Sequence, residues 1–178
     1  MESSTSALYH AAPSTLARID RVQQRFLREI GLTEVEALRD YRLAPLNARR
    51  DMAMLGVLHK VNLDQAPDQL QVFFRRLGAR QEPPLRQRLR FWRPLHCKQL
   101  NTPATSLSSD VLRRSLFGLA HCYNALPQRL VDFTSVKALQ RELQRALLRL
   151  AELGADDWQR LYAGVWKRFP RTKLDELF

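Results

Sequence analysis

This sequence predicts a mostly α-helical, multi-helix bundle-like domain with an extended or short-β, arginine-rich arm in its middle. Apolar residues recur at intervals of three and four over most of the chain, only six of 178 residues are glycine, and prolines cluster in one central stretch. Hydrophobic residues make up 45% of the chain, which suits a packed core better than a flexible tail. This punctuation predicts an N-terminal helical lobe over 1–78, a Pro/Arg-rich linker or arm over 79–109, and a C-terminal helical lobe over 110–178.

Each element has its own signal. After Pro13, Ser14 or Thr15 can cap a helix carrying Leu16, Ile19, Val22, Phe26 and Ile30, and Gly31 supplies its stop. Thr33 and Glu36 stand at capping-box spacing and open a short helix through Ala37 and Leu38. Pro45 precedes a run from Leu46 to Val61, and Pro67-Asp68 opens a fourth helix carrying Leu70, Phe73, Phe74 and Leu77. Between Ala79 and Ser109 no helical period survives, and Arg86, Arg88 and Arg90 alternate with Gln87, Leu89 and Phe91 as they would on one side of a strand. Helical signals return at Asp110 and run to the turn at Pro127. Thr134 or Ser135 then caps the longest helix, which buries Val136, Leu139, Leu143, Leu147 and Leu150 before Gly154. A last helix is expected from Asp156, containing Trp158, Leu161, Tyr162, Val165 and Trp166, with Pro170 stopping it.

The formal net charge is +11, from 29 Lys plus Arg against 18 Asp plus Glu, and arginine supplies most of the cations. Such an excess opposes compaction unless an anionic partner meets it, and arginine's planar fork suits phosphate. The cations are also placed in rows. At about 100° per residue, Arg18, Arg21, Arg25 and Arg28 fall within roughly 80° of arc, opposite the apolar stripe of the first helix. Lys137, Arg141, Arg145 and Arg149 recur every fourth residue opposite the leucines of the longest helix. Like charges four apart destabilise a helix by about 0.2–0.5 kcal/mol each, so a polyanion lying along them would offset a real cost. The same rows also serve as solvated faces whose long side chains cover the core. Phe91 and Trp92 fit either base stacking or anchorage of the arm.

Motifs of catalysis are missing. Asp156-Asp157 follows a leucine-rich helix where a cap is expected, rather than a strand hairpin that would converge carboxylates on metal. His96-Cys97 and His121-Cys122 lack the Cys-x-x-Cys spacing of structural zinc, so no metal and no cofactor is expected. No Gly-rich phosphate loop or Gly-x-Ser-x-Gly elbow occurs, and His10 and His59 read as structural. Two cysteines do not make a disulfide framework, and no stretch approaches about 18 apolar residues. The expectation is a soluble, intracellular chain without a membrane partner.

Two stretches carry a resemblance. The run Leu16-Ala17-Arg18-Ile19-Asp20-Arg21-Val22-Gln23-Gln24-Arg25-Phe26-Leu27-Arg28, followed by the run from Leu43-Ala44-Pro45-Leu46 to Leu55, resembles the region just after the polymerase palm in non-LTR (LINE-type) retrotransposon reverse transcriptases. Arg114-Ser115-Leu116-Phe117-Gly118-Leu119, Tyr123-Asn124-Ala125-Leu126-Pro127 and Ser135 to Gln140 are similar, in order, to the end of those reading frames. The likeness runs from about Leu8 to about Leu150. It implies a thumb and its C-terminal extension, which would grip template and primer for a parent RNA-directed DNA polymerase while lacking the catalytic aspartates. The expected partners are RNA, DNA or an RNA–DNA hybrid, met through the phosphate backbone by the two rows and by Arg86, Arg88 and Arg90, with the parent polymerase core as a further partner. The alternatives are a helical protein-interaction module docking through Trp158, Leu161 and Trp166, or a remnant of a mobile element with no function.

Overall fold

The computed structural model describes residues 8–76, 96–102, 112, 114–156 and 158–163. Among them are seven α-helices: α1 Pro13–Glu29, α2 Glu34–Tyr41, α3 Leu46–Asn62, α4 Asp68–Phe73, α5 Leu116–Asn124, α6 Gln128–Val131 and α7 Val136–Glu152, followed by a 3-10 turn at Trp158–Arg160. The fold is mostly α, as the periodicity predicts.

Helix ends follow local chemistry. α1 starts with Pro13 in its first position and Ala12 as N-cap, so neither Ser14 nor Thr15 caps it; proline lacks the amide that would otherwise need a partner. Gly31 takes a left-handed φ of 70° just past that helix. The capping box of α2 forms: Thr33 Oγ1 accepts from the Glu36 amide at 3.2 Å, and the Thr33 amide donates to Glu36 Oε2 at 2.8 Å. α4 is shorter than predicted, ending at Phe73, with Phe74 buried and Phe73 exposed. α5 opens at Leu116, where Ser115 Oγ accepts from the Phe117 amide; the expected start at Asp110 lies outside the described residues. In α7, Leu139, Leu143, Leu147 and Leu150 are buried as the stripe predicts, and Gly154 has a φ of 64°.

One contiguous core runs from Leu38 to Tyr162 and draws on both sides of the central arm. α3 lies at its middle, packed on α7, α5 and α1. Burying α3 on several sides puts His59 inside, where its Nε2 meets the Phe133 carbonyl at 2.9 Å and its Nδ1 meets the Tyr123 hydroxyl at 2.8 Å. The carbonyl can only accept, so the proton sits on Nε2 and the tyrosine donates to Nδ1. Burial holds the pKa of His59 below its usual range, consistent with this neutral tautomer.

The Tyr123-Asn124-Ala125-Leu126-Pro127 run is structural. Besides the Tyr123 contact, Asn124 exchanges two 2.8 Å hydrogen bonds with the amide and carbonyl of Leu100, acting as a strand partner for that segment. Arg76 and Leu100 form an isolated antiparallel bridge, so the chain leaves toward the central arm and returns from it at one place. Arg86, Arg88 and Arg90 lie outside the described residues, and no strand occurs among those described. No helix among the described residues is long and apolar enough to cross a membrane.

Three further expectations need correction, the first being that the helix expected from Asp156 is, among the described residues, only a 3-10 turn at Trp158–Arg160. The apolar stripe of α1 is not its buried face: Val22 is 69% exposed, Phe26 51% and Ile30 49%, whereas Leu27 is 2% exposed. The helix is turned by polar contacts instead, because Gln23 donates to the Ala44 carbonyl at 3.1 Å and accepts from the Leu46 amide at 2.9 Å, while Asp20 pairs with Arg50 at 2.8 Å. The patch expected around Trp158 and Leu161 is not a surface: both are buried in the core with Tyr162, whose hydroxyl donates to the Leu143 carbonyl at 2.6 Å, and Trp166 lies outside the described residues.

Candidate nucleic-acid interface

The cationic row of α1 is exposed, as its position opposite the docked face requires. Arg25 pairs with Glu29 at 2.9 Å, while Arg18, Arg21 and Arg28 have no ion-pair partner among the described residues. An exposed pair of this kind contributes little to stability, and Glu29 offsets part of the charge of Arg25 on that face.

The row on α7 does not behave as one unit. Four helical steps of 100° overshoot a full turn by about 40°, so a row at four-residue spacing winds through about 120° between Lys137 and Arg149. Lys137 and Arg141 consequently border α3, whereas Arg145 faces the other flank and pairs with Glu142.

What Lys137 and Arg141 border is a groove of about 820 Å³ between α3 and α7. Three further cations line it, all missed by the row reading: Arg42 at the end of α2, and Arg49 and Arg50 in the first turns of α3. No carboxylate is among its lining residues. Gln140 and Gln144 form part of the wall and tie α7 to the opposite side, donating to the Met52 carbonyl at 3.4 Å and to the Arg42 carbonyl at 2.7 Å. These contacts order the two helices antiparallel, residue 140 beside 52 and residue 136 beside 56.

The two helices that wall the groove meet closely at Gly56. A Cβ on Gly56 would sit 2.6 Å from Gln140 Nε2 and 2.9 Å from Val136 Cγ1, so glycine lets the two helices approach. Of the five cations, Arg50 is buried and shared with Asp20, so its charge is partly met. Arg42, Lys137 and Arg141 are exposed and have no ion-pair partner among the described residues. The nearby acids are spoken for: Asp40 by Arg39 at 2.7 Å, Glu36 by the cap of α2, and Glu142 by Arg145.

A second cavity, of about 600 Å³, lies on the other side of α3 and holds Arg50, Asp51, Arg114, Arg160 and Tyr9. Burial drives the Asp51 carboxyl up to about 7 against the lowering pull of Arg50 and the Tyr9 hydroxyl, and it also pushes Tyr9 well above its usual value. His96 is buried too, with Nε2 against the Tyr123 carbonyl at 3.1 Å and Nδ1 accepting from the Lys98 amide, and its pKa is lowered by burial. Among the described residues no three His, Cys, Asp or Glu side chains gather to hold a metal ion.

No protein family, curated protein or solved structure matches this chain.

Proposed function

We propose that this chain is a nucleic-acid-binding module that grips RNA, DNA or an RNA–DNA hybrid through phosphate and contributes no catalytic group of its own. The observation that carries the reading is the groove between α3 and α7: five cations from three segments, with no carboxylate in its walls. Positive charge concentrated in a concave site raises the local potential and attracts a polyanion, most of all at Arg42, Lys137 and Arg141, and phosphates bound there release condensed counterions. The exposed row of Arg18, Arg21, Arg25 and Arg28 supplies a second, convex cationic surface suited to the outside of a duplex.

The resemblance to non-LTR retrotransposon reverse transcriptases supports the same reading, as a thumb-like part of an RNA-directed DNA polymerase. The quoted motifs that touch one another do so structurally: Asp20 and Gln23 of the first stretch dock on Ala44, Leu46 and Arg50 of the second.

Binding is tested by titrating the full chain against a labelled single strand and against a labelled RNA–DNA hybrid, each at 50 and 200 mM salt. With three phosphate contacts at about 0.7–0.9 counterions each, affinity should fall about 20–40-fold, and with six contacts on a duplex by more than about 1000-fold. Weak binding at 50 mM that salt does not change would refute the proposal.

The exposed strip Val22, Phe26 and Ile30 favours a second reading, in which α1 docks on a protein such as a parent polymerase core. In that case Phe26→Ser should abolish capture of the partner while leaving the salt-dependent nucleic-acid affinity intact.

A further inference from the structure

We infer that the groove between α3 and α7 seats the backbone of a single nucleic-acid strand over two or three consecutive phosphates, and that Arg42 is one of its phosphate-binding residues. This deepens, and rests on, the nucleic-acid reading above.

Dimension is the first argument. The groove lies between two helices in direct contact, held by the Gln140 bond to Met52 and by the close approach at Gly56. Packed helix axes lie about 8–10 Å apart, so the furrow between them admits one extended backbone and not a double helix, whose major groove alone is about 12 Å wide. A duplex could touch only the rim.

Spacing is the second. Lys137 and Arg141 stand four residues apart on α7, about 6 Å along its axis. Gln144, one further step along, holds the Arg42 carbonyl at 2.7 Å, which places Arg42 beyond Arg141 in the same direction. The three cations without a partner among the described residues thus follow one another along the furrow, as successive phosphates of one strand do.

Two local features show that the site is built against the preferences of its own helices. The first turns of α3 and α7 contain no acidic residue, and the groove places Arg49, Arg50 and Lys137 near the positive ends of the two helix dipoles. Ser135, the N-cap of α7, makes no side-chain capping bond. A strand lying along the groove would bring phosphate to each of these two helix ends in turn. Arg42 itself adopts a left-handed φ of 55°, a conformation for which glycine is the usual choice. Retaining arginine there places a guanidinium at the groove's mouth at the expense of backbone strain, which is how strained positions at binding sites are used.

The test measures fluorescence anisotropy of the full chain with a labelled 12-nucleotide single strand and with an RNA–DNA hybrid of equal length, at 0.1 M salt. The groove variant combines Arg42→Gly, Lys137→Gln and Arg141→Gln. A charge-matched control combines Lys60→Gln, Arg75→Gln and Arg129→Gln, three exposed cations outside the groove. Losing three contacts of about 0.7 counterions each should weaken single-strand binding about 100-fold and lower the salt slope by about 2; Arg42→Gly alone should cost about fivefold without lowering the melting temperature. The hybrid should lose no more affinity in the groove variant than in the control. Equal single-strand losses in groove variant and control overturn the groove as a site, and equal losses on strand and hybrid overturn the single-strand assignment. Absence of binding to either ligand by the unmodified chain overturns the functional reading itself.

Discussion

Replacing Asp51 with asparagine should make the protein more stable at pH 8 than at pH 4.5, relative to the unmodified chain. Asp51 sits in α3, buried beside Tyr9, Arg50 and Asp20, and burial raises its pKa from 3.8 to about 7. The folded state therefore keeps its proton where the unfolded chain has released it. Below about pH 4 both states are protonated and the carboxyl carries no penalty. Between about 4 and 7 the folded state binds more protons, so stability falls as pH rises, and above 7 the loss is complete. A difference of about 3 units corresponds to about 4 kcal/mol at 1.36 kcal/mol per unit, an upper figure because water entering on ionisation would reduce it. At pH 4.5 about 1 kcal/mol of this is already present, so the stability difference between the two proteins should widen by about 3 kcal/mol by pH 8. Urea unfolding of both proteins at the two pH values measures it. The Tyr9 hydroxyl can donate to the asparagine carbonyl as it does to the carboxylate, so the comparison removes the charge and keeps the packing. A difference that stays constant within about 0.5 kcal/mol across the range would refute the assigned environment of Asp51.

Four other substitutions probe the fold. Gly56→Ala should destabilise by about 1–2 kcal/mol in thermal unfolding, because the clash with the stiff Val136 side chain outweighs the roughly 1 kcal/mol that alanine gains in a helix. Leu27→Ala should cost about 2–5 kcal/mol while Phe26→Ser costs under about 1 kcal/mol in urea unfolding; the reverse order would restore the apolar stripe as the buried face of α1. Thr33→Ala removes the acceptor for the Glu36 amide and should cost about 1 kcal/mol by the same measurement.

Local signals were legible in the sequence where local chemistry decides the outcome. The Thr33–Glu36 cap, the glycine stops at 31 and 154 and the leucine face of α7 each depend on residues within one or two turns, and each is found. The orientation of α1 depends on partners more than twenty residues away: Gln23 and Asp20 bind Ala44, Leu46 and Arg50 and so override the apolar stripe. The groove was legible only in part for a similar reason. Lys137 and Arg141 stand out as members of a row, but the crossing of α3 and α7 selects them, separates them from Arg145 and adds Arg42, Arg49 and Arg50. One available signal was the cations in the first turns of helices that carry no acid there, where dipoles favour the opposite charge. The buried Trp158 and Leu161 show the same limit, since a short apolar run reads alike whether it is core or exposed patch.

The location of bound phosphate tests the account most directly. In a titration of the isotope-labelled chain with a short single strand, followed through arginine Nε–Hε and lysine Nζ nuclear magnetic resonance signals, Arg42, Arg141 and Lys137 should shift first and furthest, and together. Shifts confined to Arg18, Arg21 and Arg28, or spread evenly over all surface cations, would contradict it.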